Sequence, residues 1–399
     1  MQSLLKLTTS ILILFIMADN TFSQDRERAR DLGIHTGILP TGEWNAITDV
    51  EGVKVGHRTL HEEEDIRTGV TAILPHSDNL FRNRVPAAVY VGNGFGKALG
   101  FTQVQELGEL ETPLALTNTL SIFSAANGVA DYVLSLPGNE DVRSVNPVVG
   151  ETNDAYLNDI RARVVGIDHV YAAIEAAETG MVAEGNVGAG TGTSALGFKG
   201  GIGTASRVLP DSHGGYTLGV LVQSNFGGVL TINGAPVGEE MNNHYMAENT
   251  GASQTPGDEH LAAADGYDFD TDGSIMIVVS TDAPITSRNL ERLAKRAFMG
   301  IARVGGFASN GSGDYVIAFS TADEVRINID DERSTQDHTE LKNSAMTPLF
   351  LAAVEATEEA ILNSLFMAET MEGTQGRIRE ALPVHDVLEI LRKYNAIDE

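Results

Sequence analysis

Residues 268–280, D-F-D-T-D-G-S-I-M-I-V-V-S, contain residue types that support two different kinds of chemistry. The first six have the Asp-x-Asp-x-Asp-Gly spacing of a calcium loop. The twelfth position, where such a loop needs a bidentate Glu, is Val279, and this weakens the calcium hypothesis without removing it. Gly273-Ser274, in contrast, places a hydroxyl directly after a small residue, at the start of an apolar run.

The Gly273-Ser274 bond has the composition of a self-cleavage site. The Ser274 hydroxyl lies next to the Gly273 carbonyl carbon, so its attack would form an ester by an N-to-O acyl shift. Hydrolysis of that ester would release a chain that begins at Ser274. Glycine suits the position because it has no side chain to hinder attack and tolerates strained dihedral angles. The new α-amine has a reference pKa of about 8, so it can act as a base near neutral pH.

The elements around this bond predict an abrupt passage from loop to core. Residues 246–273 contain seven acidic side chains and no Lys or Arg, and we interpret them as an exposed, mobile acidic linker. Residues 274–281 have the length and composition of a buried strand. Pro284 and a Thr286 or Ser287 cap then predict an amphipathic helix that ends at Gly305-Gly306.

The rest of the chain mixes strands and long helices without regular alternation. Short β-branched runs between glycines predict strands within 47–57 and 85–94. Apolar residues at three- and four-residue spacing predict helices over 120–136, 168–179, 288–304, 346–367 and 384–394. This pattern favours a layered α+β domain over a doubly wound parallel sheet.

Three other features of the sequence do not support a phosphate-binding, metal-dependent or α/β-hydrolase function. The Gly-rich segment 185–206 contains no Gly-Lys-Ser/Thr, since Gly200 follows Lys199, so tight turns and a bulged hairpin explain it better than a phosphate loop. The ten histidines show no metal-ligand spacing, and we expect no required metal. A Gly-x-Ser-x-Gly nucleophile elbow is also absent, which disfavours an α/β-hydrolase.

Composition excludes several classes of function. The 399 residues carry 55 acidic and 27 basic side chains, a net charge of −28 that disfavours nucleic acid and anionic membranes as partners. The chain has no cysteine, which excludes disulfides, thiolate nucleophiles and Cys-based zinc sites.

The first residues have the features of an export signal. Lys6 precedes the apolar run 11–18, and Thr21 and Ser23 follow at signal-peptidase spacing, so we expect cleavage near Ser23-Gln24. An uncleaved anchor is the alternative, although the run is short for a membrane span. We therefore expect a mature single domain over 24–399, exported to the periplasm or secreted, with no membrane insertion after signal removal.

Four separated stretches resemble the L-aminopeptidase/D-esterase family, which includes the β-aminopeptidases. They occur in one order and span nearly the whole mature chain: R-A-R-D-L-G-I (28–34) with N-A-I-T-D-V-E-G-V-K-V-G-H (45–57), G-E-T-N-D-A-Y-L-N-D-I (150–160), L-V-Q-S-N-F-G (221–227) and D-G-S-I-M-I-V-V-S-T-D-A-P (272–284). The resemblance implies a four-layer αββα sandwich that is similar to N-terminal-nucleophile hydrolases but differently connected. It also implies self-cleavage into two associated chains, here 24–273 and 274–399.

The resemblance also implies roles for individual residues. Ser274 matches the family's nucleophile, Ser312 and Asp314 match its second serine and acidic residue, and Asn225 matches its oxyanion-stabilising Asn. A neutral amide fixed at a strand end can donate to a developing alkoxide without losing a proton.

Two further sets of residues are candidates for the same site. Tyr156 is the candidate for an accompanying tyrosine hydroxyl. Glu151 and Asp154 are candidates for binding the substrate's ammonium group.

We therefore expect a self-processing serine aminopeptidase that acts on short peptides, amides or esters, needs no cofactor and forms a homo-oligomer, a tetramer of two-chain units by resemblance. Two alternatives remain. One is an ornithine acetyltransferase-like acyltransferase, although that group uses a threonine nucleophile and an export signal does not suit biosynthesis. The other is a secreted, non-catalytic protein that binds calcium at 268–273.

Overall fold

The computed structural model describes residues 26–247 and 273–397. The predicted signal segment, 1–23, and the acidic linker residues 248–272 lie outside the described residues. Within the described parts of the chain, no helix is both long and apolar enough to cross a membrane.

The described residues form eight α-helices, which the periodicity of the sequence largely anticipates. In chain order they are α1 (Phe101–Leu107), α2 (Ile122–Ser135), α3 (Ile167–Glu175), α4 (Val237–Glu240), α5 (Ser287–Ala297), α6 (Met299–Arg303), α7 (Thr347–Phe366) and α8 (Val384–Lys393). The region 288–304, expected as one helix, is divided at Phe298 into α5 and α6. This change of direction lets Gly300 lie against Thr357 of α7, where a Cβ would come within 2.7 Å of that side chain.

The strands observed in the described residues are, in chain order, β1 (Lys54–Glu62), β2 (Ile66–Leu74), β3 (Asn83–Gly94), β4 (Glu109–Leu110), β5 (Leu114–Asn118), β6 (Val148–Thr152), β7 (Ser194–Ala195), β8 (Phe198–Lys199), β9 (Gly201–Val208), β10 (Thr217–Asn225), β11 (Ser274–Thr281), β12 (Gly313–Ser320), β13 (Ile327–Asn328), β14 (Met371–Glu372) and β15 (Ile378–Arg379). The Gly-rich segment forms a short helical turn, the β7–β8 hairpin and β9, as expected for turns rather than a phosphate loop.

Two sheets build the interior of the domain. The smaller has the order β1-β2-β5-β6, and the larger has the order β13-β3-β12-β11-β10-β9, with β4 beside β3. Helices α2 and α3 pack on the outer face of the smaller sheet, and α5 and α7 pack on the outer face of the larger. One apolar cluster fills the space between the sheets and one lies under each helical layer. The predicted four-layer αββα sandwich is therefore confirmed.

Strand β11 lies in the middle of this arrangement. Ile275, Ile277 and Val279 belong to the cluster under α5 and α7, whereas Met276 and Val278 belong to the cluster between the sheets. Because both faces of the strand are covered, its sequence is continuously apolar instead of alternating. The same burial explains why the chain enters the core at once after Gly273.

A buried ion network joins the N-terminal part of the chain to α7. Glu359 on α7 accepts hydrogen bonds from Arg30 and from Arg207 on β9, the latter at 2.7 Å between Nη2 and Oε2. The side chains of Arg207 and Glu359 are both fully buried. Burial alone would raise the pKa of Glu359, but the two guanidinium groups outweigh it and lower that pKa to about 2.

Replacement of Glu359 by Gln is expected to lower the free energy of unfolding by about 3 kcal/mol, because Arg207 loses its closest counter-charge inside the core. Urea unfolding measures this in a Ser274→Ala background, in which the predicted cleavage after Gly273 cannot occur. Glu358→Gln is the matched control, since the partner of Glu358, Arg303, is half exposed and can be hydrated. Equal losses of unfolding free energy in the two variants would contradict the stabilising role of the buried Arg207–Glu359 pair.

Candidate active site

Three strand ends meet at Ser274, the first residue of β11. Ser274 lies opposite Asn225, the last residue of β10, in antiparallel register. On its other side it pairs with Gly313, the first residue of β12, in the parallel register. Only 5% of Ser274 is exposed. The sheet thus places the predicted nucleophile between the predicted oxyanion donor and the predicted Ser-Gly-Asp motif.

The backbone N–H of Gly313 contacts both atoms that matter for self-cleavage. It donates to Ser274 Oγ at 3.1 Å and to the Gly273 carbonyl oxygen at 3.2 Å. Attack by Ser274 Oγ on the Gly273 carbon would place negative charge on that carbonyl oxygen. A fixed N–H at this position stabilises such charge without giving up a proton.

Gly273 is required by packing as well as by chemistry. A Cβ at this position would lie 1.9 Å from the carbonyl oxygen of Asn225 and 2.6 Å from the Cα of Phe226. Both obstacles are backbone atoms, which cannot rotate away. A side chain at residue 273 would therefore displace the Gly273 carbonyl group from the Ser274 hydroxyl.

Ser312 and Asp314 form a buried pair behind Gly313. Ser312 Oγ donates to Asp314 Oδ1 at 2.6 Å, and each residue is 1% exposed. Burial raises the pKa of Asp314 to about 6, although the bonds from Ser312 and the Ile275 backbone oppose this rise. The second carboxylate oxygen of Asp314 has no hydrogen-bond partner among the described residues. Above pH 6 the pair therefore holds a poorly solvated negative charge that can attract a proton.

The Asn225 side chain is held in one orientation. Its Oδ1 accepts from the N–H of Ser194 at 2.9 Å, and its Nδ2 donates to the carbonyl oxygen of Asn153 at 2.9 Å. Its amide therefore cannot flip without breaking both bonds. One N–H of Nδ2 is used in this way, and the amide group borders a small cavity shared with Gly273.

Tyr156 does not line that cavity but packs against two arginines, one of which does. The guanidinium carbons of Arg379 and Arg377 lie 4.1 and 5.5 Å from the centre of its ring. Its hydroxyl donates to the carbonyl oxygen of Ile378 at 3.4 Å. Because Arg379 also lines the cavity beside Gly273, the described contacts connect Tyr156 to the site through this arginine.

The two candidate ammonium ligands occupy different positions. Glu151 is buried on β6 and accepts from the N–H of Lys97 at 2.8 Å and from the Thr119 hydroxyl. Burial raises the pKa of Glu151. Lys97 follows β3, the neighbour of β12, so this contact places Glu151 on the β3 and β12 side of Ser274.

Asp154 is 1% exposed and accepts from Asn158 Nδ2 at 3.0 Å. Burial raises the pKa of Asp154 to about 7. The charge of Asp154 in turn raises the pKa of the buried Lys199, against the larger lowering effect of burial. Asp154 thus belongs to an enclosed cluster behind the site, and Glu151 is the better placed of the two.

Sequence reasoning missed three parts of the site. The role of the Gly313 N–H depends on strand register, which a single sequence does not specify. Lys199, fully buried, donates from Nζ to the carbonyl oxygens of Gly190 and Gly200, and burial lowers its pKa to about 7. Arg379 carried no local signal, because its neighbours come from distant parts of the chain.

Within the described residues, no three or more His, Asp or Glu side chains converge in a way that could hold a metal ion. Most of the candidate calcium loop, 268–272, lies outside the described residues.

Comparison with known proteins identifies the class to which this fold and site belong. Residues 45–379 match peptidase family S58, and the chain belongs to that family. The chain is 42% identical over 388 residues to the β-peptidyl aminopeptidase BapA of Sphingosinicella microcystinivorans, covering 94% of each protein.

Two solved structures are similar over almost their whole length. The PH0078 protein of Pyrococcus horikoshii OT3 is 46% identical, with a TM-score of 0.82, over 92% of this chain and 99% of that chain. The L-aminopeptidase D-Ala-esterase/amidase of Ochrobactrum anthropi is 37% identical, with a TM-score of 0.82, over 93% and 99%, and it is described as a prototype of the serine aminopeptidases and a variant of the Ntn-hydrolase fold. The protein is thus a hydrolase, a serine aminopeptidase with an Ntn-like fold, and the acyltransferase and calcium-binding alternatives are not favoured.

Asp314→Asn is expected to stabilise the fold at alkaline pH. The pKa of Asp314 is higher in the fold than in the unfolded chain, so its stabilising contribution is present below pH about 4 and is lost as the pH rises through about 6. In a Ser274→Ala background, the substitution should raise the free energy of unfolding at pH 8 by up to about 3 kcal/mol.

The gain should fall to about a fifth of this value near pH 4, where Asp314 is protonated in the fold and about half protonated in the unfolded chain. Urea unfolding at the two pH values tests this, with Asp331→Asn as the control, because Asp331 is exposed and its pKa is lowered by Arg333. A gain that is the same at both pH values would show that burial of the charge is not its cause.

Proposed function

We propose that the enzyme creates its own nucleophile by cleaving the Gly273–Ser274 bond, and that Ser274 then forms the acyl-enzyme in peptide hydrolysis. The observation that carries this proposal is the Gly313 N–H, which donates to both Ser274 Oγ and the Gly273 carbonyl oxygen. The same donor serves the bond that is cut first and the hydroxyl that acts afterwards.

In the first reaction Ser274 Oγ attacks the Gly273 carbonyl carbon and the C–N bond to Ser274 breaks. The hydroxyl proton passes to the departing nitrogen, with Ser312 and Asp314 as the polar pair at the start of β12. Water then hydrolyses the Gly273 ester. The products are a carboxylate at Gly273 and a free α-amine and hydroxyl at Ser274.

In the second reaction the new α-amine assists its own hydroxyl. With a reference pKa of about 8, the amine is partly unprotonated near neutral pH and accepts the proton as Oγ attacks the substrate carbonyl. The second N–H of Asn225 donates to the oxyanion, and Glu151 binds the substrate's ammonium group. The Tyr156 hydroxyl proton is used on the carbonyl oxygen of Ile378, so Asn225 and not Tyr156 is the side-chain oxyanion donor in this cycle. Water completes the cycle, and no cofactor is required.

The substrates are N-terminal residues of short peptides, amides or esters. We favour β-amino acids as the released residue, because the curated relative at 42% identity is a β-peptidyl aminopeptidase and the solved L-aminopeptidase D-Ala-esterase/amidase is 37% identical. The active site of an exported enzyme would meet such substrates in the periplasm or outside the cell. We further propose removal of 1–23 and assembly of two-chain units into a homo-oligomer, a tetramer by resemblance.

Intact mass spectrometry of the purified wild type is expected to show two fragments, which end at Gly273 and begin at Ser274. The first should begin near Gln24 if the export signal is removed. Ser274→Ala should leave one chain without peptidase activity, because no hydroxyl remains to attack. Native mass spectrometry of the same wild-type sample gives the number of two-chain units.

Ser280→Ala is the matched control, since Ser280 is a buried serine on the same strand that lies six residues beyond Ser274 and donates to the carbonyl oxygen of Ile47 at 3.4 Å. It should process and act as the wild type does. A wild-type chain that stays unbroken yet has full peptidase activity would overturn the mechanism.

Substrate preference is measured with matched anilides of β-alanine, L-alanine and D-alanine. We expect kcat/KM for the β-alanine compound to exceed that for the L-compound at least about tenfold, a difference of about 1.4 kcal/mol in transition-state binding. Ser274→Ala provides the blank for all three. Faster release of L-alanine than of β-alanine would show that the enzyme prefers α-amino acids as the released residue.

A further inference from the structure

The geometry points to a carboxylate-binding site beside the nucleophile, formed by Arg379 and Ser194. We propose that it binds the free C-terminal carboxylate of the leaving residue, so that dipeptides and similarly short free acids are the preferred substrates. This deepens the function proposed above and depends on the Ser274 cycle.

The first observation is the position of Arg379. Its side chain lines the small cavity that also contacts Gly273, Ser194 and Asn225. The cavity therefore adjoins both the bond proposed to be cleaved and the proposed oxyanion donor. A guanidinium group at such a place matches the planar geometry of a carboxylate, which it can bind through two parallel hydrogen bonds.

The second observation is the Ser194 hydroxyl. Its Oγ is buried and forms no hydrogen bond with the described residues, although the N–H of the same residue is fixed on Asn225 Oδ1. Buried hydroxyls without partners are rare in folded proteins because they lose their bonds to water. A ligand oxygen in this cavity would satisfy Ser194 and could at the same time accept from Arg379.

Arg379 is held in place before any ligand arrives. Its guanidinium group stacks on the Tyr156 ring at 4.1 Å. The β14–β15 hairpin that carries it is anchored by a bond of 2.8 Å from Thr374 N to the carbonyl oxygen of Leu157. On its other side, the next residue, Glu380, accepts from the N–H of Lys199 at 2.7 Å. Such preorganisation reduces the entropy lost on binding.

The direction of a bound peptide follows from the two ends of the site. Glu151 contacts Lys97 on the β3 and β12 side of Ser274, whereas Arg379 borders Asn225 on the β10 side. A substrate with its ammonium group at Glu151 and its scissile carbonyl at Ser274 therefore extends its leaving residue towards Arg379. In a dipeptide that residue carries the terminal carboxylate.

The local charge supports this direction. The chain has about twice as many acidic as basic residues, yet Arg377, Arg379 and Lys199 lie together at this end of the site. Lys199 Nζ donates to the carbonyl oxygens of Gly190 and Gly200, and Lys199 does not line the cavity. It therefore contributes positive potential without contacting a ligand there. Among the described residues that line the cavity, Arg379 is the one with a positively charged side chain.

The test compares a dipeptide as the free acid with the same dipeptide as the C-terminal amide, with the N-terminal residue that the anilide assay selects. For the wild type, we expect kcat/KM to be at least about 10-fold higher for the acid, mainly through a lower KM. Arg379→Gln should lower kcat/KM for the acid by about 10- to 100-fold, because a charge-assisted hydrogen bond to the carboxylate is lost. The same substitution should change kcat/KM for the amide by less than about 2-fold. Ser194→Ala, which keeps the N–H on Asn225, should lower it several-fold for the acid alone.

Arg377→Gln is the matched control, since Arg377 packs on the same Tyr156 ring but does not line the cavity. It should leave the ratio of acid to amide unchanged, and Arg379→Lys should restore part of it. Equal loss of acid and amide activity in Arg379→Gln would overturn the proposal.

If Arg379→Gln does not fold or cleave itself, the comparison of acid and amide with the wild type still tests the proposal. Equal KM values for the acid and the amide would contradict a carboxylate-binding site. A wild type that cleaves neither peptide nor any anilide would instead refute the aminopeptidase cycle itself.

Discussion

The parallel pairing of β11 with β12 is the constraint on which the site depends. It sets Gly313 beside Ser274, so that one backbone N–H reaches both Ser274 Oγ and the Gly273 carbonyl oxygen. The same register brings Asp314 level with Ile275, one residue inside the sheet. A slip of one residue would turn these side chains to the opposite face and separate the serine from its donor. Burial of β11 on both faces makes such a slip costly, and in this way the core fixes the chemistry.

The same sheet explains how two fragments would remain one domain. Strand β11 has β10 from the N-terminal side of the cleaved bond on one flank and β12 on the other. Cleavage after Gly273 would leave the ladders between these strands intact. The Arg207–Glu359 pair joins β9 to α7 across the same division, deep in the core. The proposed cleavage would therefore change the covalent connection at one point while the burial that holds the fold together is retained.

Much of the fold was predictable because it follows local rules. Apolar periodicity located α2, α3, α7 and α8 to within a few residues, and continuous apolarity identified β11 as a buried strand. The break at Phe298 was missed, because it reflects packing of Gly300 on α7 rather than any local signal. The candidate residues Ser312, Asp314 and Asn225 were selected by resemblance, and the structure brings all three to Ser274. The contacts of Arg379 and Ser194 could not be predicted from the sequence, because these residues lie about 180 positions apart and meet only in the folded chain.

Asp314 shows why a site of this kind is stable only in combination with the surrounding core. Its carboxylate is buried with one oxygen unpartnered among the described residues, and its raised pKa reports the unfavourable solvation of the charge. A carboxylate with full hydration would be too weak a base to influence a serine hydroxyl near neutral pH. The burial that makes Asp314 a stronger base is therefore the burial that disfavours its charged form, and the apolar layers on either side of β11 and β12 must offset this cost. Function and core packing are coupled here through a single side chain.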